Sequence, residues 1–372
     1  MPETLAVLTL AVVATLAFAN GANDVSKGVA TLAGSGRTSY RTAIAWGSLW
    51  TLAGGLASLV IAVGFVRAFT SAIVSPDVLA LGTFPLAVSA GAAAWVILAS
   101  LTGLPVSTTH ALTGAIVGVA VAAGDAASVR WWILLSSIAA PLALSPLVSA
   151  AIGYGAHAFA ARLSPACVCV QADGGDEVNA DGTATAAGAA RFVVYTCAWG
   201  AAERSPSPAV AGLRRLAPAA GLHWSASAAL SFARGVNDNA KIAAVGALGT
   251  TALTADLRVA FAVVALAMTL GGLFAGLRVT RTLGERVVQM DQDTGLAASL
   301  VSAGLVLAAS FYTLPVSTTH VATGAIVGAG VRQGAGAVHW GRVGGLASAW
   351  IVTPPAAAAL AVLASSALGG VQ

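Results

Sequence analysis

The chain consists mostly of long stretches without Asp, Glu, Lys or Arg, separated by short polar segments. These stretches cover residues 4–23, 42–66, 78–124, 131–161, 216–233, 242–255, 259–277, 294–331 and 343–372. A helix that crosses a bilayer needs about 20 such residues, and the stretches 78–124 and 294–331 are each long enough for two helices. The pattern therefore predicts about five crossings before residue 161 and about five after residue 216.

Two Leu-Pro pairs interrupt the longest stretches near their middle, at Leu104-Pro105 and Leu314-Pro315. Proline removes a backbone donor and clashes with the preceding turn, so a helix cannot continue through it undisturbed. We therefore predict an all-α polytopic membrane protein whose helices are broken at these two places. The apolar run over residues 4–19 is expected to be a membrane helix and not a cleaved signal, because no Lys or Arg precedes it.

The composition supports a membrane protein and excludes several other classes. Hydrophobic residues make up 58% of the chain, charged residues only 9%, and the mean hydropathy is +0.86. Soluble domains carry about a quarter charged residues, which excludes an ordinary soluble enzyme and a disordered protein. A net charge of +4 spread over 372 residues is also too low a charge density for nucleic-acid binding. We therefore expect the chain to be surrounded by membrane lipid.

Residues 162–215 are more polar and predict an extramembrane linker between a first repeat, residues 1–161, and a second repeat, residues 216–372. Arginines cluster in the linker and in every second loop, which by the positive-inside tendency predicts a cytoplasmic linker and two external termini. The location would be a plasma or inner cell membrane. Three cysteines, Cys167, Cys169 and Cys197, fit neither a disulfide framework nor a zinc site, so we expect them to be chemically idle.

Two internal matches divide the chain into homologous halves. Residues 18–27 and 232–241 share F-A-x-G-x-N-D-x-x-K, and Leu-Pro-Val-Ser-Thr-Thr-His occurs identically at 104–110 and 314–320. An odd number of crossings in each half gives the halves opposite topologies. Inverted repeats of this kind are typical of secondary transporters, whose binding site lies near the midplane where the repeats meet.

The first motif places a carboxylate in each half within apolar surroundings, where an ionised group needs a compensating partner. A coupling cation, Na+ or H+, bound by side-chain oxygens would supply it. The residues of this predicted cation site are Asp24, Asp238, Asn23 and Asn237. The alternative is a structural ion pair with the lysine three residues later, whose ammonium would reach toward the membrane interface.

Glycine precedes each Asn-Asp pair by two residues, at Gly21 and Gly235. Because glycine tolerates many backbone conformations, we expect local unwinding there to free carbonyl oxygens for the cation. Three cationic residues that lie within the predicted spans, Lys27, Lys241 and Arg234, are predicted to act as accessory charges. The first repeat has Asn20 where the second has Arg234, so the halves are not chemically equivalent.

The second motif predicts an anion site. Helices that restart after Pro105 and Pro315 leave backbone N–H groups unpaired in the first turn, and the helix dipole favours negative charge there. The hydroxyl donors at these two helix starts are Ser107, Thr108, Thr109, Ser317, Thr318 and Thr319. Capping alone explains one hydroxyl in each helix but not three.

The histidines that end the motif, His110 and His320, allow two readings. Either could carry a proton, and either could order a local hydrogen-bond network, which a histidine in a first helical turn more often does. We favour the local network.

A site with a carboxylate and an anion-attracting helix start in each half predicts a symporter in which cation and anion bind together. The chain has no phosphate-binding loop, metal-spaced histidine cluster or nucleophile elbow, so we expect neither an enzyme nor a cofactor. Two rivals remain. One is a permease for sulfate or another oxyanion with the same fold, and the other is an anion channel, which would not need the paired carboxylates.

These motifs resemble those of the PiT (Pho-4, solute carrier 20) family of inorganic phosphate transporters. The resemblance rests on Gly21 to Lys27, Gly235 to Lys241 and the two P-V-S-T-T-H segments, and it covers both halves but not the linker. It implies a homodimeric, cation-coupled importer of inorganic phosphate. By motif position, the resemblance places the anion among Asn23, Asp24, Ser107, Thr108, Thr109, Asn237, Asp238, Ser317, Thr318 and Thr319.

Overall fold

The computed structural model describes residues 3–61, 69, 71–163, 167–173, 191–197, 218–250 and 257–369. The expectation that residues 162–215 form a linker lies for the most part outside these ranges. Two strands are described within it, Cys167–Asp173 (β1) and Arg191–Cys197 (β2), which pair antiparallel with Cys167 opposite Cys197. The described residues between the two halves thus form an antiparallel pair of strands, whereas the described residues of both halves are mostly helical.

Six helices form the described part of the first half. They are α1 (Glu3–Gly34), α2 (Tyr40–Ile61), the single turn α3 (Pro76–Leu79), α4 (Phe84–Thr102), α5 (Thr108–Gly124) and α6. Helix α6 runs through Trp131–Ile133, a π-helical segment over Leu134–Ala139, and Ala140–Leu163. A 3₁₀ turn, Ala126–Ser128, links α5 to α6.

The second half repeats this order. Its helices are α7 (Pro218–Thr250), α8 (Leu257–Ala275), the short α9 (Leu277–Glu285), α10 (Gln292–Phe311), α11 (Thr318–Gln333) and α12 (Trp340–Ala367). Within the described ranges, seven helices are long and apolar enough to cross a membrane: α1, α2, α4, α6, α8, α10 and α12. The hydropathy pattern is therefore confirmed as that of an all-helical, multi-pass membrane protein.

Both predicted helix breaks are present. Helix α4 ends at Thr102, Gly103 adopts a left-handed φ of 76°, and α5 starts only at Thr108. In the second repeat α10 ends at Phe311, and Thr313 has a φ of 56° before α11 starts. The chain between the helices is extended, which is the conformation that proline imposes on its neighbours.

The two halves pack into each other and do not form separate units. Helix α1 packs along α8 and α2 along α7, while α6 packs along α11 and α12 along α5. These contacts come in equivalent pairs: α1 on α8 corresponds to α7 on α2, and α6 on α11 corresponds to α12 on α5. A two-fold axis that relates the repeats would produce this pattern. The opposite membrane orientation of the repeats stays a prediction.

The glycines of the first motif serve close packing, so the expectation of unwinding was wrong. Helices α1 and α7 are continuous through Gly21 and Gly235. A Cβ on Gly21 would lie 2.9 Å from the backbone nitrogen of Gly272, and one on Gly235 would lie 2.9 Å from that of Gly55. The absent side chain therefore lets α1 approach α8, and α7 approach α2, backbone to backbone.

Candidate functional site

The polar residues of the repeated motifs meet in the middle of the helix packing, shielded from the surface. Their exposed fractions are 0 to 2% for Asn20, Asn23, Asp24, Lys27, Arg234, Asn237, Asp238 and Lys241. The lysines therefore do not reach toward the membrane interface, and that part of the alternative reading was wrong. Burial of several ionised groups is costly unless they compensate one another, so their mutual contacts define the site.

In the first repeat, both oxygens of the Asp24 carboxylate have hydrogen-bond partners, and we call such a carboxylate closed. Its ammonium contacts Asp24 directly and donates to the side-chain oxygen of Asn23 at 3.1 Å and to the carbonyl of Val106 at 3.2 Å. The amide of Asn20 donates to the other oxygen of Asp24 at 3.2 Å. The structural ion pair considered above is thus present in this half.

Asn23 fastens the broken helix to α1. Its amide nitrogen donates to the carbonyl of Leu104 at 2.9 Å and to the hydroxyl of Ser100 at 3.1 Å, and its oxygen accepts from the backbone nitrogen of Val106 at 3.0 Å. These bonds satisfy backbone groups that proline and the helix break leave without partners. In this conformation Asn23 therefore positions the break.

In the second repeat, the carboxylate of Asp238 is equally buried but open, by which we mean that one of its oxygens lacks a hydrogen-bond partner among the described residues. The ammonium of Lys241 lies 3.7 Å from Asp238, contacts the side-chain oxygen of Asn237, and donates to the hydroxyl of Thr109 at 2.8 Å and the carbonyl of Val316 at 2.9 Å. Among the described residues, Oδ2 of Asp238 has no hydrogen-bond partner. An unpartnered carboxylate oxygen at 2% exposure is a costly feature that a ligand would relieve.

The two helix starts are joined across the repeats. Thr319 donates to the carbonyl of Val106 at 2.8 Å, and Thr109 donates to the carbonyl of Val316 at 3.4 Å. Each of these carbonyls also accepts from the lysine of its own repeat. The N-termini of α5 and α11 are therefore held close to both Asn-Asp motifs.

The predicted hydroxyls divide into caps and site groups. Ser107 and Ser317 accept from the backbone nitrogens of His110 and His320, each at 3.2 Å, so one hydroxyl per helix is the cap. Thr108 accepts from Asn20 at 2.8 Å, which places it beside Asp24. Thr318, Thr319 and Thr109 are buried at the same helix starts.

Arg234 completes the site from α7. One of its nitrogens donates to the hydroxyl of Thr51, whereas Nε and Nη1 have no partner among the described residues. Its guanidinium interacts electrostatically with Asp24 and Asp238. With Lys27 and Lys241 the site holds three cationic and two anionic side chains, so its formal excess of one positive charge favours an anion.

Three further polar residues of the site are not among the shared residues of the two repeated motifs. Ser100 and Ser310 accept from Asn23 and Asn237, and each lies four residues before the repeated Leu-Pro pair, a spacing that was visible in the sequence. Asn239 donates to the carbonyl of Gly55 and the hydroxyl of Ser58, both at 2.8 Å. Nothing in the sequence pairs Asn239 with α2, because its counterpart in the first repeat is Val25.

The histidines lie behind the site and contact each other. The rings of His110 and His320 are 4.7 Å apart, and that of His320 is 4.0 Å from Trp350. Nδ1 of His320 lies 2.8 Å from the carbonyl of Leu142. These contacts support the local-network reading. A mostly apolar cleft of about 680 Å³ between α5, α6 and α12 borders both rings.

Comparisons with known proteins agree with the motifs. The family model described as "Phosphate transporter family" matches residues 20–361. A Mycobacterium tuberculosis protein named "Probable low-affinity inorganic phosphate transporter" is 31% identical over 361 residues, covering 94% of this chain and 75% of that protein. A Bacillus subtilis protein of the same name is 27% identical over 375 residues, covering 97% of each.

A solved structure titled "The sodium-dependent phosphate transporter" shares the fold, with a TM-score of 0.75 at 20% identity over 99% of this chain and 100% of that one. Its agreement extends through both repeats. The family model that matches residues 20–361 and the relative at 31% identity show that this chain belongs to the phosphate transporter family.

Proposed function

We propose that the protein is a secondary active transporter that imports inorganic phosphate by symport with a cation. The observation that carries the proposal is the buried cluster of Asp24, Lys27, Arg234, Asp238 and Lys241 at the two helix starts. Ionised residues inside a membrane are costly and mark ion or substrate pathways. The family membership supports phosphate as the substrate.

Phosphate would bind between Arg234 and the helix starts of α5 and α11. The guanidinium offers N–H groups that have no hydrogen-bond partner within the described part of the chain. Thr108, Thr109 and their second-repeat counterparts add hydroxyls next to two helix dipoles. A carboxylate such as Asp238 can accept a hydrogen bond from the hydroxyl that phosphate keeps at neutral pH. Sulfate has no such hydroxyl, which favours phosphate.

The coupling ion that suits these residues is Na+. Among the described residues, Oδ1 of Asn20 and Oδ2 of Asp238 are buried oxygens without a hydrogen-bond partner. Oxygen ligands of this kind suit hard metal cations, and an amide oxygen does not take up a proton. We propose that Asp238 receives the cation first. Asn237 would contribute after Lys241 releases its oxygen, and Asp24 and Asn23 after Lys27 releases them.

This order couples ion and substrate through charge. The site as a whole carries a formal excess of one positive charge, but a doubly charged phosphate next to Asp24 and Asp238 would still meet two like charges locally. A sodium ion bound between phosphate and these carboxylates would reduce that local repulsion. Each ligand thus raises the affinity for the other, and the effect is reciprocal.

The cluster of basic residues around the linker supports a cytoplasmic linker with external termini. We also propose that the protein forms a homodimer in the cell membrane.

The test is uptake of radiolabelled phosphate into proteoliposomes with a sodium gradient or a proton gradient imposed separately. We expect accumulation above the external concentration with the sodium gradient, and little competition from excess sulfate. Accumulation driven only by protons would overturn the choice of ion. Downhill flux without accumulation would support a channel, and full competition by sulfate would support the oxyanion permease.

A further inference from the structure

A second cluster of cationic side chains lies outside the repeated motifs, at the end of α4 and two residues before the Leu104-Pro105 break. A cleft of about 560 Å³ opens between the ends of α4 and α8 and the short helix α9. Three arginines line it, Arg278, Arg281 and Arg286, together with the hydroxyl-bearing Thr102 and Thr282. All three arginines are exposed, so their guanidinium groups are accessible to a ligand in the cleft.

The single acidic residue of α9, Glu285, can balance no more than one of these three charges. Glu285 accepts a hydrogen bond from the hydroxyl of Tyr40, on the side of α9 that faces α2. Arg281 lies over the ring of Tyr40 at 5.9 Å, and Arg278 donates to the carbonyl of Leu101 at the end of α4. These contacts hold the guanidinium groups in place at the cleft and leave further N–H groups for an anion.

Exposed apolar side chains lead from the cleft into the membrane. On α8, Leu266, Leu270 and Phe274 are 53%, 47% and 79% exposed and recur every four residues, which puts them on one face that ends at the cleft. On α4, Leu98 is 54% exposed and lies one turn before Thr102, which lines the cleft. An apolar track thus enters the cleft from each of the two spanning helices.

We propose that this cleft binds an anionic phospholipid, with the lipid phosphate among the arginines and the acyl chains along α8 and α4. Arginine forms paired hydrogen bonds with phosphate oxygens, and basic residues at a membrane surface attract anionic lipids. A free phosphate ion would use the same arginines, but it would have no use for the apolar tracks. The combination therefore favours the lipid.

The experiment is lipid titration of the purified full-length protein, followed by native mass spectrometry, with phosphatidylglycerol as the probe and phosphatidylcholine as the neutral comparison. The test variant is R278Q/R286Q. The matched control is R162Q/R342Q, which removes two exposed arginines from other helices. A charge-retaining variant, R278K/R286K, separates charge from any structural effect of replacing Arg278.

We expect the wild type to prefer phosphatidylglycerol and R278Q/R286Q to bind it roughly thirtyfold more weakly. The control should bind like the wild type, R278K/R286K should lose only a few-fold, and excess inorganic phosphate should not displace the lipid. Equal weakening in the control, or equal binding of the two lipids, would overturn the proposal. Displacement by inorganic phosphate would assign the cleft to the free ion instead.

Discussion

The two repeats have matching packing but different chemistry at the site. In the first, Asp24 is closed by Lys27 and Asn20. In the second, the position of Asn20 is occupied by Arg234, the lysine lies 3.7 Å from the carboxylate, and one oxygen of Asp238 has no hydrogen-bond partner among the described residues. A symmetric scaffold therefore presents one closed and one open carboxylate.

This difference suggests a division of labour. The first repeat, with Asn23 bonded to the backbone of Leu104 and Val106, holds its helix break in place. The second repeat supplies the open carboxylate and the guanidinium. In the proposed mechanism, this unequal chemistry sets the order in which the ligands bind.

The largest expected effect comes from the two carboxylates. Asp24→Asn and Asp238→Asn should both reduce sodium-driven phosphate uptake to background. Asp24→Asn should destabilise the protein more, by about 3–5 kcal/mol, because it leaves Lys27 buried without the carboxylate that it contacts directly. Lys241 lies 3.7 Å from Asp238 and keeps its contacts with Asn237 and Thr109 when that carboxylate is lost. Uptake and melting temperature of the purified variants measure the two effects.

The double variant D24N/K27M sharpens this comparison. Removing both partners should restore the melting temperature but not the uptake, because the buried charge is gone while the ligand is still missing. Normal uptake by either single variant would contradict a role in transport. Equal loss of stability in Asp24→Asn and Asp238→Asn would contradict the distinction between closed and open carboxylates.

Arg234→Gln should raise the KM for phosphate roughly 10- to 100-fold, because it removes a charge-assisted hydrogen bond to the anion. Arg234→Lys should recover only part of this loss, since lysine lacks the planar fork. The exposed Arg41→Gln is the matched control and should leave KM unchanged. An unchanged KM in Arg234→Gln would mean that this arginine does not contact phosphate.

Gly21→Ala and Gly235→Ala test whether packing is equal in the two repeats. Each should lower stability by about 1–3 kcal/mol, because the added methyl group meets the backbone of the facing helix. Gly304→Ala, within α10, places its new methyl group more than 4 Å from every heavy atom considered among the described residues and should have no such cost. Thermal unfolding in detergent compares the three, and a marked difference between the two repeats would break the symmetry of packing.

Thr108→Val should have the smallest effect, a roughly fivefold rise in the KM for phosphate, since one neutral hydrogen bond is worth about 1 kcal/mol. Thr318→Val should act similarly in the second repeat. Thr15→Val replaces an exposed threonine that bonds only within α1 and serves as the control. If KM is unaffected at both site positions, the threonines have a structural role only.

Much of the fold was predictable because membrane helices and proline breaks depend on local properties. The charge-free stretches predicted the helices, and Pro105 and Pro315 predicted both breaks, since neither signal requires knowledge of distant contacts. Unwinding at Gly21 was a wrong prediction for the opposite reason. Whether a glycine bends a helix or admits a neighbour depends on the facing helix, here α8, which periodicity along α1 does not reveal.

The sequence predicted which residues form the site better than it predicted what each of them contacts. Duplication identified Asp24, Asp238 and the hydroxyls, because polar residues repeated inside a membrane are costly. Sequence spacing allowed equal ion pairs in both repeats and did not reveal that Lys241 turns toward Thr109, a contact made across the repeats. Asn239 was missed because its partners, Gly55 and Ser58, come from the other half of the chain.

The most direct test of the account is whether sodium binds at Asp238 before phosphate does. Melting temperature is measured without phosphate while sodium replaces choline, since a ligand that binds the folded state stabilises it. We predict a sodium-dependent rise in the wild type and in D24N/K27M, and none in Asp238→Asn. A rise that persists in Asp238→Asn and vanishes in D24N/K27M would contradict the account and make Asp24 the first ligand.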